Sequence, residues 1–129
     1  HIHRRISGDQ GTTWTEAEDL GFADQPSHPA ILEDGRVVLG WVDRFGSRSI
    51  RVRMADSLEA PFREETELVL YEAAVEALKG AGTGDMLVDM GNWNYGLPFA
   101  EVVAPGKVLV VHYAGTNAAM DIRWVRLDL

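Results

Sequence analysis

The side chains in this sequence with the chemistry to act on a ligand sit at the ends of short apolar runs. His28 precedes Ala30–Leu32, Arg44 closes the run Arg36–Arg44, and Trp93 and Asn94 come shortly before Phe99–Val103. A histidine at the mouth of a strand can act as a general acid or base, or donate to a sugar hydroxyl. It can equally be a strand-start histidine satisfied by backbone. The planar fork of Arg44 suits both oxygens of a carboxylate. Trp93 can stack on a sugar ring while Asn94 bonds its hydroxyls; the other reading makes Trp93 a core anchor. Asp24 is taken as a further substrate contact.

Composition narrows the partners. A chain of 129 residues suits one domain, and a hydrophobic share of 46% suffices for a real core. The 12 Lys+Arg stand against 20 Asp+Glu, a net charge of -8. Nucleic-acid binding needs a basic footprint, and anionic membranes attract basic segments, so neither partner is expected. A small anionic ligand held by a few local arginines is not excluded. No apolar run approaches the ~20 residues of a membrane helix, and no signal peptide is visible. The absence of cysteine rules out disulfides and thiolate chemistry but leaves the compartment open. The first residue is His1 rather than Met, as expected of a processed or partial chain. His1 and His3 alternate along a strand and could chelate a metal, although a frayed terminus is the simpler reading. The other histidines and the carboxylates lack ligand spacing, and Gly80-Ala81-Gly82-Thr83-Gly84 lacks the lysine of a phosphate loop. Neither metal nor cofactor is expected.

Short strands between turn signals must position these residues. Ile2–Ser7, Thr13–Ala17, Arg36–Arg44, Ser49–Ala55, Thr66–Tyr71, Phe99–Val103, Val108–Ala114 and Asp121–Leu127 read as strands. Asp34-Gly35 and Pro105-Gly106 read as hairpin turns, and residues 21–29 as a loop. In Ser49–Ala55, Ile50, Val52 and Met54 share one face. Arg51 and Arg53 share the other, a solvated face or one between neighbouring sheets. Glu72–Lys79 is rich in helix formers and is followed by Gly80, so a short helix is expected near 72–80. A long glycine-rich connection then runs to Gly96.

The chain also repeats itself. Ala30–Val42 aligns with Glu101–Tyr113, each placing a basic residue after a turn glycine and then a strand. Ser49–Asp56 aligns with Asp121–Asp128, and Ile2–Ser7 with Ile50–Ala55. A unit near this length, built of four strands, is the signature of a β-propeller blade.

The stretch Ser7-Gly8-Asp9-Gln10-Gly11-Thr12-Thr13-Trp14 falls between the third and fourth strands of such a blade. Asp9 can accept from backbone N–H groups within its own turn, and Gly11 can take a positive φ. Ser7 and Thr13 can bond across the turn. Trp14 is expected to fold into the layer between sheets and pin the turn there. These residue types make a structural turn, not a ligand site. A degraded copy, Ala55–Phe62, follows in the next blade, with Phe62 in place of the tryptophan.

The motif S-x-D-x-G-x-T-W resembles the Asp-box of sialidases and their relatives. The chain is similar to the C-terminal part of a sialidase-like, BNR-repeat propeller of bacterial type. Its His28 stands six residues before Asp34-Gly35-Arg36, Arg44 ends the following strand, and Ile50-Arg51-Val52-Arg53 matches a familiar strand. Trp93-Asn94-Tyr95-Gly96-Leu97-Pro98 resembles the family's W-D-x-G-Y-P, with Asn94 for the aspartate and Leu97 for the tyrosine. The resemblance implies an arginine site for a substrate carboxylate, a tyrosine nucleophile and an aspartate acid/base. Tyr95 is the candidate to replace the missing tyrosine. The acid/base aspartate usually comes from early blades that this chain lacks.

The expected fold is therefore all-β, a single partial β-propeller of four-stranded antiparallel blades over residues 1–129. Residues 1–20 would end one blade, 28–72 form a complete blade, 73–96 hold the helix and loop, and 97–129 begin a last blade. That is about two blades and a fraction, where propellers need four to eight. Either copies assemble to complete the ring, or a longer parent chain supplies the missing blades. The expected function is glycan processing of the sialidase kind, with His28, Arg44 and Tyr95 as catalytic residues and Asp24, Trp93 and Asn94 binding a terminal sugar, acidic or neutral. The alternative is a non-catalytic propeller fragment acting as a carbohydrate-binding or assembly module.

Overall fold

A computed structural model of the chain describes residues 1–73, 93–116 and 118–129. Its strands are β1 (His3–Arg4), β2 (Glu18–Asp19), β3 (Gln25–Pro26), β4 (Ala30–Ile31) and β5 (Val37–Asp43). These are followed by β6 (Ser49–Ala55), β7 (Arg63–Glu72), β8 (Tyr95–Ala104), β9 (Lys107–Thr116) and β10 (Ala119–Asp128). The fold is all-β, every ladder between strands is antiparallel, and no helix occurs among the described residues.

Three sheets stack as layers. The hairpin β1–β2 lies against one face of a central sheet, in which β5, β6 and β7 run as a meander. β3 and β4 pair one after the other along β5, so they act as one interrupted strand. The residues between them stay close to the ladder, since the Ser27 N–H donates to Gly40 O at 2.8 Å. The third sheet, in the order β10-β9-β8, covers the opposite face of the central sheet.

Side-chain alternation explains the layers. In β5, Val38 and Val42 face the third sheet, meeting Val108, Val110, Ala100 and Ala114. Leu39 and Trp41 face the hairpin, where they meet Ile2 and Phe22. Strands covered on both faces read as continuous apolar runs, and Val37–Val42 is buried throughout. Arg51 and Arg53 take up the inter-sheet reading. Both pair with Glu67 across to β7, and the Arg53 guanidinium lies 5.1 Å from the Phe22 ring centre and 5.5 Å from that of Trp41. Partial burial pushes the Glu67 carboxyl up, but the hydrogen bonds from Arg53 and Arg51 outweigh it and hold the group below the usual carboxylate range.

The Asp-box turn is bonded as its residue types require. Asp9 Oδ1 accepts from the Thr13 N–H at 2.8 Å and from Ser7 Oγ at 2.9 Å, and Oδ2 accepts from Thr13 Oγ1 at 2.7 Å. These bonds, that of the Thr13 N–H foremost, pull the Asp9 pKa down to about 2. Gly11 has φ +90°, a conformation in which a side chain would be strained. Trp14 departs from expectation. It does not enter the layer between sheets but is 57% exposed. Its Nε1 donates to Gly11 O at 3.0 Å, which lays the ring on the turn itself. In the degraded copy, Ser57 stands in the place of Asp9, its Oγ accepting from the Glu59 and Ala60 N–H groups at 3.3 and 3.2 Å. There Arg4 reaches across from β1 and donates to Leu58 O, Glu59 O and Ala60 O, at 2.7, 3.1 and 2.8 Å.

Two boundaries also differ. Glu72, the first residue of the expected helix, ends β7 and pairs with Ser49. The rest of that helix, 74–80, and the connection up to residue 92 lie outside the described residues. At the far end Tyr95 and Gly96 are already strand, paired with Ala114 and Tyr113. The loop expected over 21–29 contains β3.

Candidate functional site

Arg44 is where the candidate residues converge. It follows the last residue of β5, at the end of the central sheet that meets the start of β8. Its side chain runs inward, and the residue is only 6% exposed. Nε and Nη2 both donate to Gln25 Oε1 at 3.1 Å, and Nη1 donates to Tyr95 O at 2.8 Å. The Trp93 ring centre stands 4.0 Å from the guanidinium carbon, a stacked cation–π contact. The Arg44 N–H donates to Asp24 Oδ2 at 3.2 Å. No carboxylate forms an ion pair with Arg44 among the described residues.

Gly96 makes room for this fork. A Cβ at that position would stand 2.5 Å from Arg44 Nη2 and 3.0 Å from the Tyr113 hydroxyl. The backbone there has φ +152°, which side-chain-bearing residues rarely adopt. Arg44 and Tyr113 therefore both pack closely against the Gly96 backbone. Three of the five guanidinium N–H groups go to neutral acceptors, which leaves two for a ligand.

The structure thus brings Asp24, Arg44, Trp93 and Tyr95 together. Asn94 is buried beside them, its carbonyl accepting from the Gly115 N–H at 2.9 Å. Tyr95 contributes its backbone carbonyl. Its ring is buried between sheets, 5.5 Å from that of Tyr71, and burial raises its pKa despite the nearby Arg44. His28 stands apart. Ser27 bonds Gly40, and from Gly40 to Arg44 the chain runs four extended residues, about 13 Å. The exposed imidazole of His28 stacks on Phe99, with ring centres 4.8 Å apart.

Gln25, Gly96 and the Tyr113 hydroxyl were not among the sequence candidates. The Gln25 amide oxygen is the acceptor a strand-end arginine needs, and its place beside Asp24 was the available signal. Tyr113 lies mid-strand, where packing is the default reading. His112, next to it, is buried facing the central sheet, 5.9 Å from the Tyr71 ring. Neither ring nitrogen has a partner among the described residues. Burial, then the nearby Arg123, pushes its pKa down and keeps the ring neutral.

The comparisons with known proteins yield a fold and no activity. No protein-family model matches the chain, and no curated protein matches it. A crystal structure of a protein of unknown function from Dyadobacter fermentans is similar, with 28% identity and a TM-score of 0.62. The match covers 97% of this chain and 30% of that one, so the chain spans about three tenths of the length of its structural relative. Nearly all of this sequence is thus accommodated in an arrangement also adopted inside a much longer polypeptide.

Proposed function

We propose that this chain is part of a sialidase-like β-propeller and that its Arg44 end binds the carboxylate of a terminal acidic sugar. The observation that carries this reading is the buried guanidinium of Arg44, which lacks an anionic partner among the described residues. A buried charge is costly unless paired, so a ligand carboxylate would gain two charge-assisted hydrogen bonds where water is scarce. Trp93 covers one face of the fork and can also contact the sugar ring. The propeller reading is supported by the Asp-box turn, the internal repeat and the four-stranded meander. The greater length of the structural relative fits a unit that belongs among further sheets.

Recognition without hydrolysis is the better-supported form of this reading. The Tyr95 hydroxyl is buried, Leu97 occupies the position of the family's tyrosine, and His28 is about four extended residues from Arg44. Among the described residues, Asp24 is the carboxylate bonded at the site, and it accepts from the Arg44 backbone.

Saturation-transfer NMR with N-acetylneuraminic acid, glucuronic acid and glucose tests the proposal. The two acids bind and glucose does not. Arg44→Gln weakens binding at least about tenfold and Arg44→Lys, which keeps the charge but loses the fork, less so. A fluorogenic sialoside is not turned over. Equal binding of glucose, or binding of the acids untouched by both variants in folded protein, overturns it.

A further inference from the structure

We infer that Ser47 and Ser49 are positioning residues for the Arg44 site, acting through a directed chain of hydrogen bonds that fixes the turn Arg44 opens. The inference rests on the reading of Arg44 as the residue that binds an anionic ligand. Asp43, the last residue of β5, clips this turn. Its Oδ1 accepts from the Gly46 N–H at 2.8 Å, and its Oδ2 from the Ser47 N–H at 2.8 Å and the Ser47 hydroxyl at 2.6 Å. The Ser47 and Ser49 hydroxyl oxygens are 2.6 Å apart. Arg51 Nε donates to Ser49 Oγ at 2.7 Å, and Arg51 Nη1 donates to Glu67. Glu67 also holds Arg53, whose guanidinium lies over Phe22 and Trp41 in the layer between sheets.

Counting hydrogens gives the chain one direction. A hydroxyl has a single hydrogen to donate. That of Ser47 goes to Asp43, so Ser49 donates to Ser47 and accepts from Arg51. The chain begins on a cation, ends on a carboxylate and has every donor aligned, an arrangement in which the bonds reinforce one another. Ser49 is fully buried, which shields the middle of the chain from competing water. Burial pushes the Asp43 carboxyl up, but the bonds from Ser47 and Gly46, with the charge of Arg51, outweigh it and hold the group below the usual carboxylate range. A Cβ on Gly46 would stand 2.8 Å from both Asp43 carboxylate oxygens, so the clip closes where no side chain fits.

Chain and site lie on opposite faces of the central sheet. Trp41 pairs with Arg51 and Asp43 with Ser49, so these side chains share the face turned to the hairpin. Arg44, next in sequence, turns the other way and meets Tyr95 of β8. The chain therefore touches no ligand at Arg44. It sets where the backbone leaves β5, and with that the direction of the fork. A binding group has to be held within about 0.5 Å of its productive place by such supporting bonds. Residues 45–48 are exposed and have no core packing to do this instead. The same bonds keep the Asp43 carboxylate on the hairpin side, away from the fork.

The Arg44 Nε–H signal in a proton–nitrogen NMR spectrum of ligand-free protein tests this, alongside titration with N-acetylneuraminic acid. Ser47 is exposed, so Ser47→Ala opens no cavity and the protein folds. This variant should shift the signal, speed its exchange with water about fivefold and weaken binding of the acid about fivefold. Ser47→Thr, which keeps the hydroxyl, restores both. Ser49→Ala, at the buried centre of the chain, repeats the effect of Ser47→Ala. Val52→Ala, in the core away from the turn, lowers stability but leaves signal and affinity unchanged. An unmoved signal in folded Ser47→Ala and Ser49→Ala overturns the inference, as does a shifted signal with unchanged affinity for an acid that binds. Equal changes in Ser47→Thr or in Val52→Ala also overturn it, since the role is then merely structural. If the acid fails to bind the unsubstituted protein while the ligand-free signal responds as expected, the carboxylate reading falls and the positioning of Arg44 stands.

Discussion

Replacing Gly96 with alanine tests how the Arg44 fork is accommodated. The added Cβ would stand 2.5 Å from Arg44 Nη2 and 3.0 Å from the Tyr113 hydroxyl, both inside normal contact. The backbone at φ +152° adds strain of about 1–3 kcal/mol for a residue with a side chain. Expelling the fork from Tyr95 O and Gln25 adds about 2 kcal/mol for hydrogen bonds made by a charged group. The sum is about 4 kcal/mol, a drop in Tm of roughly 15 °C for a domain of this size. Denaturant unfolding followed by tryptophan fluorescence measures it, since Trp93 stacks on the guanidinium. The diagnostic is a double-mutant cycle with Arg44→Met. Without the fork, Gly96→Ala keeps its backbone strain, about 2 kcal/mol, and the Tyr113 contact, but loses the cost of expelling the guanidinium. An equal cost in both backgrounds, or a cost below about 0.5 kcal/mol in the first, would refute the steric coupling.

Three further outcomes are expected. His112 is held neutral in the fold, so stability is full above pH 6.5 and declines as the pH falls through 6.5 toward its depressed folded pKa. Urea midpoints from pH 8 to 5 should show that slope, and His112→Phe should flatten it. Asp9, pulled from 3.8 to about 2, contributes above pH 3.8 and loses that contribution as the pH falls toward 2. Asp9→Asn should remove this part of the acid-unfolding curve. Ile50→Ala, in the fully buried layer between sheets, should cost about 3 kcal/mol, whereas Phe45→Ala at an exposed turn should cost under about 0.5 kcal/mol in the same denaturation assay.

Where structure follows from local chemistry, the sequence was a good guide. The turns at Asp34-Gly35 and Pro105-Gly106, the bonds of the Asp-box and the alternation in Ser49–Ala55 each rest on residues near in the chain. Trp14 misled because a large aromatic was assigned to a core, while its indole N–H found an acceptor three residues back. Glu72 misled in the opposite way. Its helix-forming neighbours lie outside the described residues, and pairing with Ser49 keeps it in the strand. At the site, Arg44 was legible as a strand-end arginine. Gln25 was not, since a neutral acceptor in a proline-bounded loop carries no periodic signal. Gly96 was seen only as an irregular point, because its φ is tied to pairing with Tyr113, a strand away.

The most direct measurement is the Arg44 Nε–H signal in a proton–nitrogen NMR spectrum as N-acetylneuraminic acid is added. A saturable shift with the acid, absent with its methyl ester, is the expected result, because the fork recognises the carboxylate. No shift, or the same shift with the methyl ester, would contradict an Arg44-centred carboxylate site.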